Sequence, residues 1–348
     1  MKVSNLRTFL ICILLLAPQG SFAQEIEDAK PSARLLLERA KDLYWNQAVD
    51  RSVVILLQAE AEIPPDSLST NGSDDQTRVD ILEMLSFCYL AQGDEQAAQR
   101  AIGRILDLQP RYHPDPDLVP SSYNRVFYDV LKAQNLLRTE TDGDQLTMAV
   151  FQFDENLVES DLEGIGAIVA SEISGCLRLI EDIVLVERAK ADYVMEEIKR
   201  NRGDWFDVAN RVRAGRLVGA EILVFGDVNL HDKKLSIIPR FVRTETSVQE
   251  MGGRIRGDED DLYELLEELC ATISKEIGSI PQHAVTPLDI ELKAQLEYHK
   301  GLERHQEGDL AGAMVHWSRA IEIAPDFAAA EAKLRHLHVE MAYGGAED

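Results

Sequence analysis

The chain has 348 residues, of which 45% are apolar, with 36 lysines and arginines against 61 aspartates and glutamates. This length and apolar content are enough for two or three hydrophobic cores, which excludes a disordered tail. The formal charge of -25 argues against nucleic acid and anionic membranes as partners, because both bind clusters of lysine and arginine.

The first two dozen residues have the pattern of an export signal. Basic residues precede a short apolar run at residues 9–17, and Ser21 and Ala23 occupy the small-residue positions of a cleavage site. The run is much shorter than the roughly 20 apolar residues of a membrane-spanning helix. We therefore expect a signal peptide over residues 1–23, no transmembrane span, and a periplasmic or secreted product.

Residues 24–138 are predicted to form a helical domain. Apolar residues recur there at spacings of three and four, the period of amphipathic helices. Proline-containing polar stretches at 64–78 and 111–120 separate the runs, and a polar, acidic linker is expected at 139–144.

From residue 145 the pattern changes to strands that alternate with helices. Compact apolar runs predict strands at residues 148–153, 183–186 and 222–226, and residues 235–243 and 246–256 are predicted to form two strands joined by a tight turn. Helical periods are found at residues 161–180, 189–200, 208–218 and 258–277. This order predicts a central mixed sheet covered by helices over residues 145–279.

Two prolines within residues 281–287 mark a second boundary, after which the chain is helical again. Helices are predicted at 290–307 and 310–323, with Pro325 stopping the second and another helix starting at Phe327. The predicted fold class is α/β plus all-α, and the last unit covers residues 288–342.

The helix pairs resemble tetratricopeptide repeats, which are units of about 34 residues with small residues where two helices touch. The match in residues 294–327 rests on Gly301, Ala313, Trp317, Ala320 and Pro325. Residues 79–112 match less fully, and residues 33–66 lack the Gly-Asp turn. The resemblance implies stacked helical hairpins and a concave surface that binds proteins.

In repeats of this kind the first helix of each pair forms the inner face. That face would carry a mixture of charged and apolar residues suited to a peptide or a neighbouring protein: Arg34, Lys41, Tyr44, Asp80, Glu83, Phe87 and Leu90. The alternative is that the inner face packs against the central domain.

The central domain resembles the CsgG-like family and the TolB amino-terminal domain of bacterial envelopes. The resemblance is carried by the phrases at residues 150–156, 185–188 and 217–226, where Gly219 allows a tight turn and Gly226 is expected to end the strand. It implies an assembly component of the cell envelope. Pore formation is disfavoured, because charged residues interrupt the only candidate hairpin.

The sequence contains no pattern typical of an enzyme. Acidic pairs precede predicted helices, where carboxylates favour the helix dipole, and His336 and His338 would point to opposite faces of one helix. We therefore predict a non-enzymatic scaffold or adaptor without a metal or cofactor, which binds other proteins of the cell envelope. The sequence is compatible with both a monomer and an oligomer. The alternatives are a subunit of an outer-membrane secretion or assembly complex, and an envelope enzyme with an inter-domain site.

Three cysteines follow the predicted cleavage site, and their spacing matches neither a disulfide scaffold nor a zinc site. Cys176 and Cys270 lie on the first and last helices of the central domain, where both can pack on one face of the sheet. They are interpreted either as a disulfide or, preferably, as two small apolar residues of a core.

Overall fold

The computed structural model describes residues 32–63, 72–141, 145–157, 162–202, 208–277 and 291–344. The predicted signal peptide and the predicted boundary at 281–287 lie outside these ranges. Within them, no helix combines the length and the apolarity that crossing a bilayer requires.

The part of the chain before the sheet is helical, as predicted. Its described helices are α1 (Ala33–Trp45), α2 (Val49–Ala61), α3 (Gly72–Ala91), α4 (Glu95–Leu108) and α5 (Ser121–Ala133). Helix α1 packs on α2, and α3 packs on α4. The predicted polar stretch at 64–78 is shorter than expected because α3 begins at Gly72, with Asp74 and Asp75 placed favourably in its first turn.

The central region folds as a mixed sheet with helices on both faces. Its strands are β1 (Leu146–Val150), β2 (Asp154–Leu157), β3 (Ile183–Leu185), β4 (Ile222–His231), β5 (Lys234–Arg243), β6 (Gln249–Met251) and β7 (Ile255–Asp258). The strand order is β3-β1-β4-β5-β6, with β2 also beside β4 and β7 also beside β5. Strand β4 runs parallel to β1 and β2 and antiparallel to β5.

Two strand predictions are corrected. Gly226 does not end its strand, because β4 continues to His231 and pairs with β2, a strand that the sequence analysis missed. A Cβ at Gly226 would lie 2.9 Å from Cδ1 of Phe153, so glycine permits a close approach there. The predicted strand at 246–256 is divided into β6 and β7, which both pair with β5. Between the two paired segments, residues 252–254 lie opposite only residues 238–239 of β5, and this one extra residue is a β-bulge.

The sheet separates two apolar layers. Helices α6 (Ile165–Arg178) and α9 (Leu262–Ile277) cover one face, where Met148 and Val150 point. Helices α7 (Arg188–Arg202) and α8 (Val208–Val218) cover the other, and this second core continues into α1–α5. The helical region and the sheet are therefore joined by one apolar core.

Cys176 in α6 and Cys270 in α9 form a disulfide, with Cα atoms 6.2 Å apart. The preferred interpretation as two unlinked core residues is therefore wrong. The bond forms because α6 and α9 are neighbours on the same face of the sheet.

The last described segment contains α10 (Leu292–Gln306), α11 (Leu310–Ile323) and α12 (Ala328–Gly344). Trp317 in α11 is 1% exposed and packs against Gly301 in α10, while Ala313 and Ala320 are fully buried beside it. Pro325 follows the end of α11 and is exposed. These side chains hold α10 and α11 together as an antiparallel hairpin, on which α12 packs.

Candidate functional site

The residues predicted to form an inner face lie on two neighbouring helices. Arg34, Lys41 and Tyr44 belong to α1, and α1 contacts α3, which carries the other four. Arg34 is exposed, and Lys41 forms an ion pair with Glu38 at 2.9 Å on its own helix. The two helices are thus brought together as expected.

The aromatic residues of this face are covered by the carboxy-terminal helix. Tyr44 is 2% exposed and Phe87 is 8% exposed. The ring of His336, on α12, lies 5.8 Å from the Tyr44 ring and 5.3 Å from the Phe87 ring, measured between centroids. The expectation of an open groove is therefore wrong for Tyr44 and Phe87, because α12 fills the groove at these residues. The element that covers them is α12 and not the central domain, which was the alternative.

His336 is held in the groove by a hydrogen bond at each ring nitrogen. The Tyr44 hydroxyl donates to Nδ1 at 2.9 Å, and Nε2 donates to the Leu118 carbonyl at 3.1 Å when the proton is assigned to Nε2. Burial, with the nearby Lys333 charge, lowers the pKa of His336 to about 3. The imidazole is therefore neutral at physiological pH, and both nitrogens are satisfied.

Lys333 is the second polar anchor of α12. Its side chain is 2% exposed, and Nζ donates to the carbonyls of Pro116 at 2.5 Å and Val119 at 2.7 Å. Burial lowers the pKa of Lys333 to about 8, against the opposing effect of Asp117 and Asp115. The loop before α5 thereby supplies carbonyl oxygens that replace the water around a buried ammonium group.

Further contacts hold the edges of the seated helix. The Arg335 guanidinium lies 4.1 Å from the centroid of the Trp45 ring, a cation–π arrangement. The Tyr343 hydroxyl accepts a hydrogen bond of 3.0 Å from the Val49 amide at the start of α2. In addition, the Tyr298 hydroxyl of α10 donates to Asp117 at 2.7 Å. Helices α10 and α12 are therefore docked on the amino-terminal helical region, and α10 also contacts α6 of the central domain.

The remaining predicted residues of α3 are engaged within the helical region. Glu83 accepts a hydrogen bond from the Tyr112 hydroxyl, and burial raises the pKa of Glu83. Asp80 accepts from the Gln76 amide at 2.7 Å, and Leu90 is half-buried. Tyr112 thus covers Glu83, whereas Asp80 is bonded within its own helix.

Sequence analysis did not identify the groove partners on α12. His336 is buried and His338 is exposed, so the pair points to opposite sides of α12, as the helical geometry predicts. The available signal was local: Lys333 and His336 are polar residues three positions apart on a helix side that also carries Leu337. Such a placement indicates a polar contact at a packed interface.

No group of three or more histidine, cysteine, aspartate or glutamate side chains able to hold a metal occurs within the described ranges. No protein-family model matches the chain. No curated protein is similar to it in sequence. The groove and its seated helix therefore give the strongest indication of function.

Proposed function

We propose that the mature chain is a non-enzymatic scaffold or adaptor, exported to the bacterial cell envelope, that binds helices of partner proteins in the groove between α1 and α3. The observation that carries this proposal is the seating of α12 in that groove. Aromatic rings and two buried polar side chains, Lys333 and His336, hold α12 there, and a helix seated in a groove is a recurring mode of protein recognition.

Repeated turn geometry supports a tetratricopeptide-like nature of the hairpins. Gly93 and Gly308 have φ angles of 74° and 82°, in the left-handed region that glycine tolerates. The following aspartates each cap a helix, since Asp94 accepts from the Ala97 amide and Asp309 from the Gly312 amide, both at 2.9 Å. Two hairpins far apart in the chain thus begin their second helices in the same way.

Two observations support the proposed compartment. The amino-terminal sequence has the pattern of a cleaved signal, and the Cys176–Cys270 disulfide suits the oxidising environment of an exported protein. The resemblance of the central domain to the CsgG-like family is the reason for proposing that this protein belongs to an envelope assembly.

Access to the groove requires competition with α12. Because α12 belongs to the same chain, its effective concentration at the groove is high, and a partner must present a better-matched helix. Weakening a contact of α12 therefore raises partner binding, which is the opposite of what a mutation in an open binding surface does.

Capture from envelope extracts tests this mechanism with the mature full-length chain. Arg335→Glu removes the cation–π contact with Trp45 and is expected to increase the yield of specifically retained proteins. Arg178→Glu, at an exposed position near the end of α6, is the matched control and leaves the yield unchanged. A synthetic peptide of the α12 sequence is expected to release the retained proteins, and a scrambled peptide is not.

The proposal has two separate points of failure. Equal capture by the Arg335→Glu variant, the control and the unmodified chain, with no release by the α12 peptide, would rule out the groove as the binding surface. The absence of any specifically retained protein in all samples would refute the scaffold function itself.

A further inference from the structure

A cavity separate from the groove lies where α5, α7 and α8 meet. Its volume is about 390 Å³, within the size range of small-molecule sites. Apolar side chains form most of its lining: Leu137, Tyr193, Val194, Ile198 and Leu217. Three of these are nearly fully buried, whereas Leu217 is 50% exposed at the entrance. The cavity is therefore an apolar recess that opens to solvent.

The charged side chains that the structure describes in the lining of this recess, Lys132, Glu197 and Arg213, carry a positive excess. Lys132 and Glu197 form an ion pair, and Arg200 approaches the other oxygen of Glu197 at 3.2 Å. The hydrogen bond from Lys132 lowers the pKa of Glu197, so this carboxylate is ionised. Its negative charge is balanced by the neighbouring Lys132 and Arg200. Arg213, which also lines the recess, is exposed and has no acidic partner among the described residues.

Arg213 differs in this respect from the other arginines of α8. Arg211 is 3% exposed at its side chain and pairs with Asp154 at 2.5 Å. Arg216 donates to the carbonyl of Thr244 at 2.7 Å and 2.9 Å. Both therefore have a structural role in attaching α8 to the sheet, whereas Arg213 lines the recess and has no acidic partner within the part of the chain that the structure describes.

We infer that this recess binds a single-chain amphiphile with an anionic head, of the class of medium-chain fatty carboxylates. The hydrocarbon chain lies against the five apolar side chains, where it is removed from water. The carboxylate lies at the entrance and accepts paired hydrogen bonds from the Arg213 guanidinium. Charge complementarity selects the head group, since a cationic or neutral head gains nothing from Arg213.

Cysteine protection locates the ligand without depending on any activity. Leu217→Cys places a thiol at the entrance of the recess. Leu179→Cys is the control, because the native Leu179 lies at the end of α6 and is exposed to a similar extent, 55%. The native thiols do not interfere, because Cys88 is buried with a pKa of about 12 and the other two are bonded. Decanoate is expected to slow maleimide labelling of Leu217→Cys and to leave Leu179→Cys unchanged.

Calorimetric titration measures the contribution of the charge. Decanoate is expected to bind the full-length mature chain at one site, and roughly tenfold more weakly to Arg213→Gln, because a charge-assisted hydrogen bond is lost. Arg178→Gln is the control and keeps native affinity, with unchanged melting of each variant as the criterion of folding. Equal binding of decyltrimethylammonium, no protection at Leu217→Cys, or native affinity in Arg213→Gln would overturn the inference.

Discussion

Replacement of Gly301 by alanine tests the packing of the carboxy-terminal hairpin most directly. An added Cβ at this position would lie less than 3.0 Å from three atoms of the Trp317 ring. The indole has little room to retreat, since it is 1% exposed and its Nε1 donates to the Tyr298 carbonyl at 3.2 Å. The substitution therefore forces either the ring or helix α10 to move.

Two opposing effects set the size of the change in stability. Alanine is favoured over glycine inside a helix by about 1 kcal/mol. Overpacking of a filled core costs about 1–3 kcal/mol. Because three contacts would be shorter than 3.0 Å, we expect a steric cost near the upper end of this range, so that Gly301→Ala lowers the free energy of unfolding by about 2 kcal/mol.

Gly175 in α6 is the matched control, because it is also inside a helix but an added Cβ would meet no atom within 4 Å. Gly175→Ala is expected to raise the free energy of unfolding by about 0.5–1 kcal/mol. Urea denaturation followed by circular dichroism gives both values, and hydrogen exchange of the α10 and α11 amides localises the effect. If Gly301→Ala is as stable as the native chain or more stable, the packing argument is wrong.

The remaining predictions concern pH and redox state. The pKa of His336 is lower in the folded chain than in the unfolded chain, so the unfolded chain binds more protons as the pH falls below 6.5. Because of this residue, the free energy of unfolding should fall by about 1.5 kcal/mol between pH 6.5 and pH 5. His336→Gln should remove that part of the pH dependence, whereas His231→Gln, at a position 80% exposed, should not; equal pH profiles would contradict the assignment. Reduction of the Cys176–Cys270 disulfide should cost about 2–4 kcal/mol of stability. Alkylation in denaturant should then label two more thiols than before reduction, and an unchanged count would exclude the bond.

Local sequence determined most of the secondary structure. Asp94 and Asp309 cap helices within three residues of themselves, and the apolar period of three and four predicts the helices that they begin. The predicted strand at residues 235–243 agrees with β5 almost to its ends, although polar and charged residues interrupt its apolar pattern. The pairing of Gly301 with Trp317 was also accessible, because both lie within one hairpin and complement each other in size.

Strand β2 and the bulge before β7 depended on neighbours elsewhere in the chain. Residues 154–157 are mainly polar and carry no local strand pattern, but β4 continues past Gly226 and offers unpaired backbone groups along that edge. Such pairing joins residues 73 positions apart, as between Asn156 and Asn229. A period read along the chain cannot contain this information.

Only the tertiary structure decided the state of the groove and the pairing of the cysteines. Tyr44 and His336 are 292 positions apart, and Cys176 and Cys270 are 94 apart. The same mixture of aromatic and charged side chains suits an open protein-binding surface and an internal interface, because both need apolar burial with satisfied polar groups. Which of the two forms depends on whether another part of the chain reaches the surface with matching shape and hydrogen-bond partners, and α12 does so through Lys333 and His336.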